Sequence, residues 1–70
     1  MKTIYDIQQF LKKYGTIIYI GDRLGDLQLM KTEIVELDKA QLMNKQDFET
    51  AIFLLNQEIQ HMQDENSGGE

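Results

Sequence analysis

The sequence predicts an all-α fold: a compact three-helix bundle in which a short first helix packs on an antiparallel pair of longer ones. Three observations lead there. Apolar residues recur at steps of three and four along three separate stretches, which puts them on one side of a helix in each. None of the 70 residues is proline, so nothing breaks a helix from within. Residues that start and stop helices stand between the stretches, at Thr3, Gly15, Asp22 and Asn44.

The first helix is expected over about Ile4–Tyr14. Ile4, Ile7, Leu11 and Tyr14 share one face and Phe10 widens it. Thr3 suits an N-cap, and Asp6 three residues on makes a capping-box variant. Lys12 and Lys13 suit the negative end of the helix dipole, and Gly15 supplies a left-handed stop. Thr16–Ile20 is β-branched and aromatic, so it prefers extended backbone. With no second strand to pair with, it reads as a connector that lays some of Ile17, Ile18 and Ile20 on the core. The pattern does not distinguish which.

Asp22 reads as the N-cap of a second helix over about Arg23–Met43, with Leu24, Leu27, Met30, Ile34 and Leu37 inward. Asn44 is expected to cap twice, closing the second helix and opening the third. The third helix is expected over about Lys45–Gln63, with Phe48, Ala51, Ile52, Leu55, Ile59 and Met62 as its stripe. Phe53 and Leu54 broaden that stripe into an apolar run, 51–55, that would suit self-association. The domain is therefore read as residues 1–63, with a disordered polar tail over 64–70.

Size and composition narrow the function. A chain of 70 residues buries only about 60% of its unfolded surface and has little room for a deep, water-excluding cleft, so no enzyme activity is expected. The absence of cysteine excludes disulfides and thiolate metal sites. The longest apolar run, Ile17–Ile20, is far too short to span a bilayer, and the first residues lack the apolar run of a signal peptide. A cytoplasmic location with no membrane contact is the expectation. The net charge of −5 is unevenly spread: residues 1–31 hold five cations and three acids, while residues 32–70 hold two cations and nine acids.

The run Tyr14-Gly15-Thr16-Ile17-Ile18-Tyr19-Ile20-Gly21-Asp22-Arg23-Leu24, continued by Asp26-Leu27-Gln28-Leu29-Met30 and Glu33-Ile34, resembles the YqgQ-like family. The likeness covers most of residues 2–62, including the opening Ile4-Tyr5-Asp6-Ile7-Gln8-Gln9. These are small cytosolic proteins of Gram-positive bacteria. The resemblance implies a three-helix fold and a suggestion of single-stranded nucleic-acid binding. It brings no catalytic residues and no cofactor.

Candidate binding residues follow from the charge asymmetry. Tyr5, Tyr14 and Tyr19 all fall in the mildly basic part, near Lys2, Lys12, Lys13 and Arg23. Rings that stack on bases beside cations that meet phosphates are the ingredients of a single-strand platform. Tyr14 reads as core, so the residues expected to contact single-stranded RNA or DNA are Lys12, Lys13, Tyr19, Arg23 and Tyr5. The alternative is a protein-interaction or assembly module, homo-oligomer included, with no nucleic-acid role. Gly21-Asp22-Arg23-Leu24-Gly25-Asp26 has the look of an anion-binding helix start, but two acids oppose an anion there, and a cap with an Arg23–Asp26 pair explains it better. Gly25 is expected to admit the connector or the first helix at close range. Glu58, His61 and Glu65 share a helix side that reads as solvated rather than as a metal site.

Overall fold

The computed structural model describes the backbone of residues 1–68 and the side chains of residues 1–64. Three helices follow in order: α1 (Ile4–Lys13), α2 (Arg23–Lys39) and α3 (Lys45–Gly68). No strand occurs among the described residues.

Each helix starts where a side chain takes up its first backbone donors. At α1 the Thr3 hydroxyl accepts the Asp6 N–H at 3.2 Å, and the Asp6 carboxylate accepts the Thr3 N–H at 3.1 Å, a complete capping box. The same carboxylate oxygen accepts the Lys2 N–H at 2.9 Å. That bond, with help from Thr3, holds the Asp6 carboxyl below its ordinary range. At α2 the Asp22 carboxylate accepts the Gly25 N–H at 2.9 Å, and at α3 the Asn44 side-chain oxygen accepts the Asp47 N–H at 2.7 Å.

α1 and α2 end alike. Gly15 (φ +82°) follows the cap of α1, and the Thr16 and Gly15 N–H groups return to the Leu11 and Lys12 carbonyls. Gln41 (φ +60°) follows the cap of α2, and the Leu42 and Gln41 N–H groups return to the Leu37 and Asp38 carbonyls. Both are Schellman stops. α2 thus ends at Lys39, four residues before the expected Met43, because a glutamine adopts the left-handed conformation that glycine usually marks. Asn44 caps only α3. At its other end α3 runs past the expected Gln63 to Gly68, so the tail expected over 64–70 is helical that far. Residues 69 and 70 lie outside the described residues.

The core is Ile7 and Leu11 from α1, Leu27, Met30 and Ile34 from α2, and Ala51 and Leu55 from α3. All seven belong to the stripes predicted from spacing. Fully burying a leucine, isoleucine or methionine contributes about 1.5–3 kcal/mol each. The tight turn at 40–44 sets α2 and α3 side by side as the main packed pair, and α1 lies against both. Tyr14 departs from its stripe. It is 44% exposed, its ring tilts against Phe10 at 5.3 Å between centroids, and its hydroxyl donates to the Leu42 carbonyl at 3.2 Å. Rather than filling the core, it ties the end of α1 to the α2–α3 turn. The apolar run 51–55 is also narrower in space than in sequence. Ala51 and Leu55 are buried, Ile52 and Leu54 half-buried, and only Phe53 is open, at 63% exposure.

Candidate nucleic-acid interface

Between α1 and α2 the chain passes through Thr16–Ile20 without regular secondary structure, and burial alternates from Thr16 to Tyr19 before Ile20, which is exposed. Ile18 packs on the core, while Ile17 and Tyr19 point out, at 78% and 82% exposure. Three bonds pin the connector at its ends. The Thr16 N–H returns to α1, the Thr16 hydroxyl donates to the Glu33 carboxylate of α2 at 3.5 Å, and the Ile20 N–H donates to the Asp26 carboxylate at 2.9 Å. Between these pins the backbone groups of residues 17–19 make no hydrogen bond with other described residues. Gly25 is where Ile20 comes closest: a Cβ there would lie 2.6 Å from the end of the Ile20 side chain. The connector, not α1, is therefore the neighbour that glycine admits.

Asp26 is committed to Ile20, so the expected Arg23–Asp26 pair does not form. Ion pairs form instead at the far end of α2, Lys39 with Glu36 at 3.9 Å and Lys45 with Asp38 at 3.3 Å. The start of α2 does not suit an anion either, because the Asp22 carboxylate occupies the Gly25 N–H and Asp26 stands one turn on.

Three hollows surround α1 and the connector. The first, about 260 Å³, lies between them and is lined by Gln8, Gln9, Lys12 and Ile17 over a floor that includes Leu11 and Met30. The second, about 400 Å³, lies on the α2 side of the connector and is lined by Tyr19, Ile20, Leu29 and Glu33 among others. The third, about 480 Å³, flanks the other side of α1, where Lys2 and Lys13 meet Asp6 and Asp47.

These hollows separate the five residues expected to act together. Tyr5 and Lys12 stand seven residues apart on α1, two turns along one face, about 10 Å in rise. Tyr5 is 65% exposed and Lys12 is exposed beside it. Lys13 is turned about 100° away, into the hollow it shares with two acids. Tyr19 sits in the second hollow, with Glu33. Arg23, exposed at the first position of α2, lines none of the three. The structure also adds residues that were not anticipated. Gln8 and Gln9 lie on the Tyr5–Lys12 face, four and three residues before Lys12, and Ile17 faces them from the connector. The i, i+3, i+4 spacing from Lys12 was the available signal for the two glutamines.

Elsewhere, no group of three or more His, Cys, Asp or Glu that could hold a metal occurs among the described residues. The Glu65 side chain of the His61 group lies outside them. No described helix is long and apolar enough to cross a membrane.

The signature of the YqgQ-like family matches residues 1–61. The chain is also similar to the uncharacterised protein YqgQ of Bacillus subtilis (strain 168), with 37% identity over 60 residues, covering 86% of this chain and 84% of that protein.

Proposed function

The chain belongs to the YqgQ-like family, and we propose that it is a small binding module for single-stranded nucleic acid, working through the outer face of α1 and the adjoining connector. The observation that carries this reading is the shared face of Tyr5 and Lys12: an exposed ring and an exposed ammonium on one side of a rigid helix. An unpaired base offers its flat face to such a ring while the neighbouring phosphate meets the cation. A duplex keeps its base faces stacked and cannot use the ring. Lys13, Tyr19 and Arg23 would serve a strand that wraps beyond α1, each from its own side of the domain. The acids beyond residue 32 repel a polyanion at long range, so the expected affinity is modest.

Fluorescence anisotropy with labelled single-stranded RNA and DNA of mixed sequence, beside a duplex control, tests the reading. Joint Lys12→Glu and Lys13→Glu substitution should abolish binding, and Tyr5→Ala should weaken it without unfolding the protein. Three phosphate contacts to a single strand would give a log–log salt slope near −2, from about 0.7 counterions released per contact. No binding at high micromolar protein in moderate salt would reject the proposal in favour of a protein-interaction module. The observation favouring that second reading is Phe53, a large exposed ring on α3 far in sequence from the basic region.

A further inference from the structure

We infer that the hollow between α1 and the connector is a pocket for one nucleobase carrying a phosphate. The assignment of that base to a strand rests on the function proposed above; the chemistry of the pocket does not. At about 260 Å³ the hollow lies just below the roughly 300–1,000 Å³ of sites for drug-sized ligands, so it suits a single ring system and not a whole dinucleotide. Its floor is apolar, because Leu11 and Met30 belong to the core, and Ile17 makes an apolar wall. Its rim is polar in the way a base edge requires. The Gln8 and Gln9 amides each carry an acceptor and two donors, and the connector backbone at Ile17 and Ile18 has hydrogen-bonding groups not used by other described residues. Lys12 completes the rim as the cation for the attached phosphate. Of the three hollows it alone is lined by a cation and by no carboxylate, whereas Glu33 stands in the second and Asp6 and Asp47 in the third. A phosphate-bearing ligand is therefore favoured at the first hollow, opposed at the second, and met by balanced charge in the third, where Lys2 and Lys13 face Asp6 and Asp47.

The test is NMR on the full chain, with the methyl groups of Leu11 and Met30 and the side-chain amides of Gln8 and Gln9 as reporters. The probes are the adenosine, cytidine, guanosine and uridine monophosphates, inorganic phosphate, and a mixed-sequence single-stranded hexanucleotide. Nucleotide and hexanucleotide should shift all four reporters, and phosphate should not. Gln8→Trp, which fills the hollow, should remove these shifts and weaken the hexanucleotide about tenfold, on the order of the apolar burial of part of one base. Gln9→Ala, which adds no bulk and keeps a good helix former, should weaken it too, and circular dichroism checks that both variants fold. Hexanucleotide binding that shifts only Tyr5 and Lys12 and ignores Gln8→Trp would overturn the pocket and leave the single-strand function standing. Nucleotide binding with no hexanucleotide binding would uphold the pocket, identify a free nucleotide as its ligand and remove the strand function. Identical shifts from inorganic phosphate, or no shift from any probe, would overturn the pocket.

Discussion

Two connections join the three helices, and both begin with the same pair of returning hydrogen bonds. After Gln41 only Leu42 and Met43 intervene before Asn44 caps α3 and Lys45 reaches back to Asp38, so the turn closes on itself. After Gly15 it runs for five residues without regular secondary structure, pinned at its ends, with Ile17 and Tyr19 in solvent and the backbone groups of residues 17–19 unused by other described residues. One connection uses its residues to fasten two helices. The other is fastened by them and keeps its outward side chains for something else. In a domain with a single small core, binding capacity collects where the chain is held by its ends and not by its middle.

That contrast can be broken first at the pair the tight turn creates. Leu55→Ala removes a fully buried side chain between α2 and α3 and should cost about 2–5 kcal/mol, much of the stability of so small a fold. Urea unfolding measures it, and a loss under about half a kcal/mol would mean that the α2–α3 seam is not where the stability lies.

The two stops can then be set against each other. No atom outside the local chain lies within 4 Å of a Cβ placed on Gly15, so Gly15→Ala meets only the left-handed backbone penalty and should cost about 0.5–1 kcal/mol once the reduced freedom of the unfolded chain is subtracted. Gln41→Gly removes that penalty at the other stop and should stabilise by about 0.5–1 kcal/mol after the added freedom of the unfolded chain is subtracted. Thermal unfolding of both variants reads the difference, and effects of the same sign would refute the equivalence of the two stops.

The smallest effect belongs to the start of α1. The Asp6 carboxyl is lowered from 3.8 in the fold, chiefly by the Lys2 N–H. Its contribution is therefore complete above the unfolded value and is lost as pH falls through the lower folded one. A carbon-detected NMR titration should place the Asp6 midpoint below 3.8, with the Lys2 and Thr3 amides shifting alongside it. A midpoint at or above 3.8 would mean that the box is not formed in solution.

The core was legible because burial in a helix leaves a spacing. Ile7 with Leu11, Leu27 with Met30 and Ile34, and Ala51 with Leu55 all read correctly from it, as did the N-caps at Thr3, Asp22 and Asn44, though not the second cap expected of Asn44 at the end of α2. What did not read was whatever depends on a partner distant in sequence or on a rare backbone state. Gln41 carries no sign that it will turn left-handed. Asp26 looked like a partner for Arg23 until the connector brought the Ile20 N–H to it. Ile18 could not be told from Ile17, because the face an extended segment buries is set by where its ends are pinned. For the candidate binding residues the pattern carries type and half of the chain but not side: Lys12 lines one hollow, Tyr19 the second and Lys13 the third, while Gln8 and Gln9, on the same face as Lys12, have no charge to mark them.

The tight turn at Asn44 also bears on time. α2 and α3 meet through contacts close in sequence, so they can close early and fast, whereas α1 must be brought back across the connector to reach contacts such as Tyr14 with Leu42, 28 residues away. Because the chain has no proline, no isomerisation of tens of seconds stands between those events. The half proposed to bind is thus the half expected to assemble last, and the proposed pocket forms only with α1 docked.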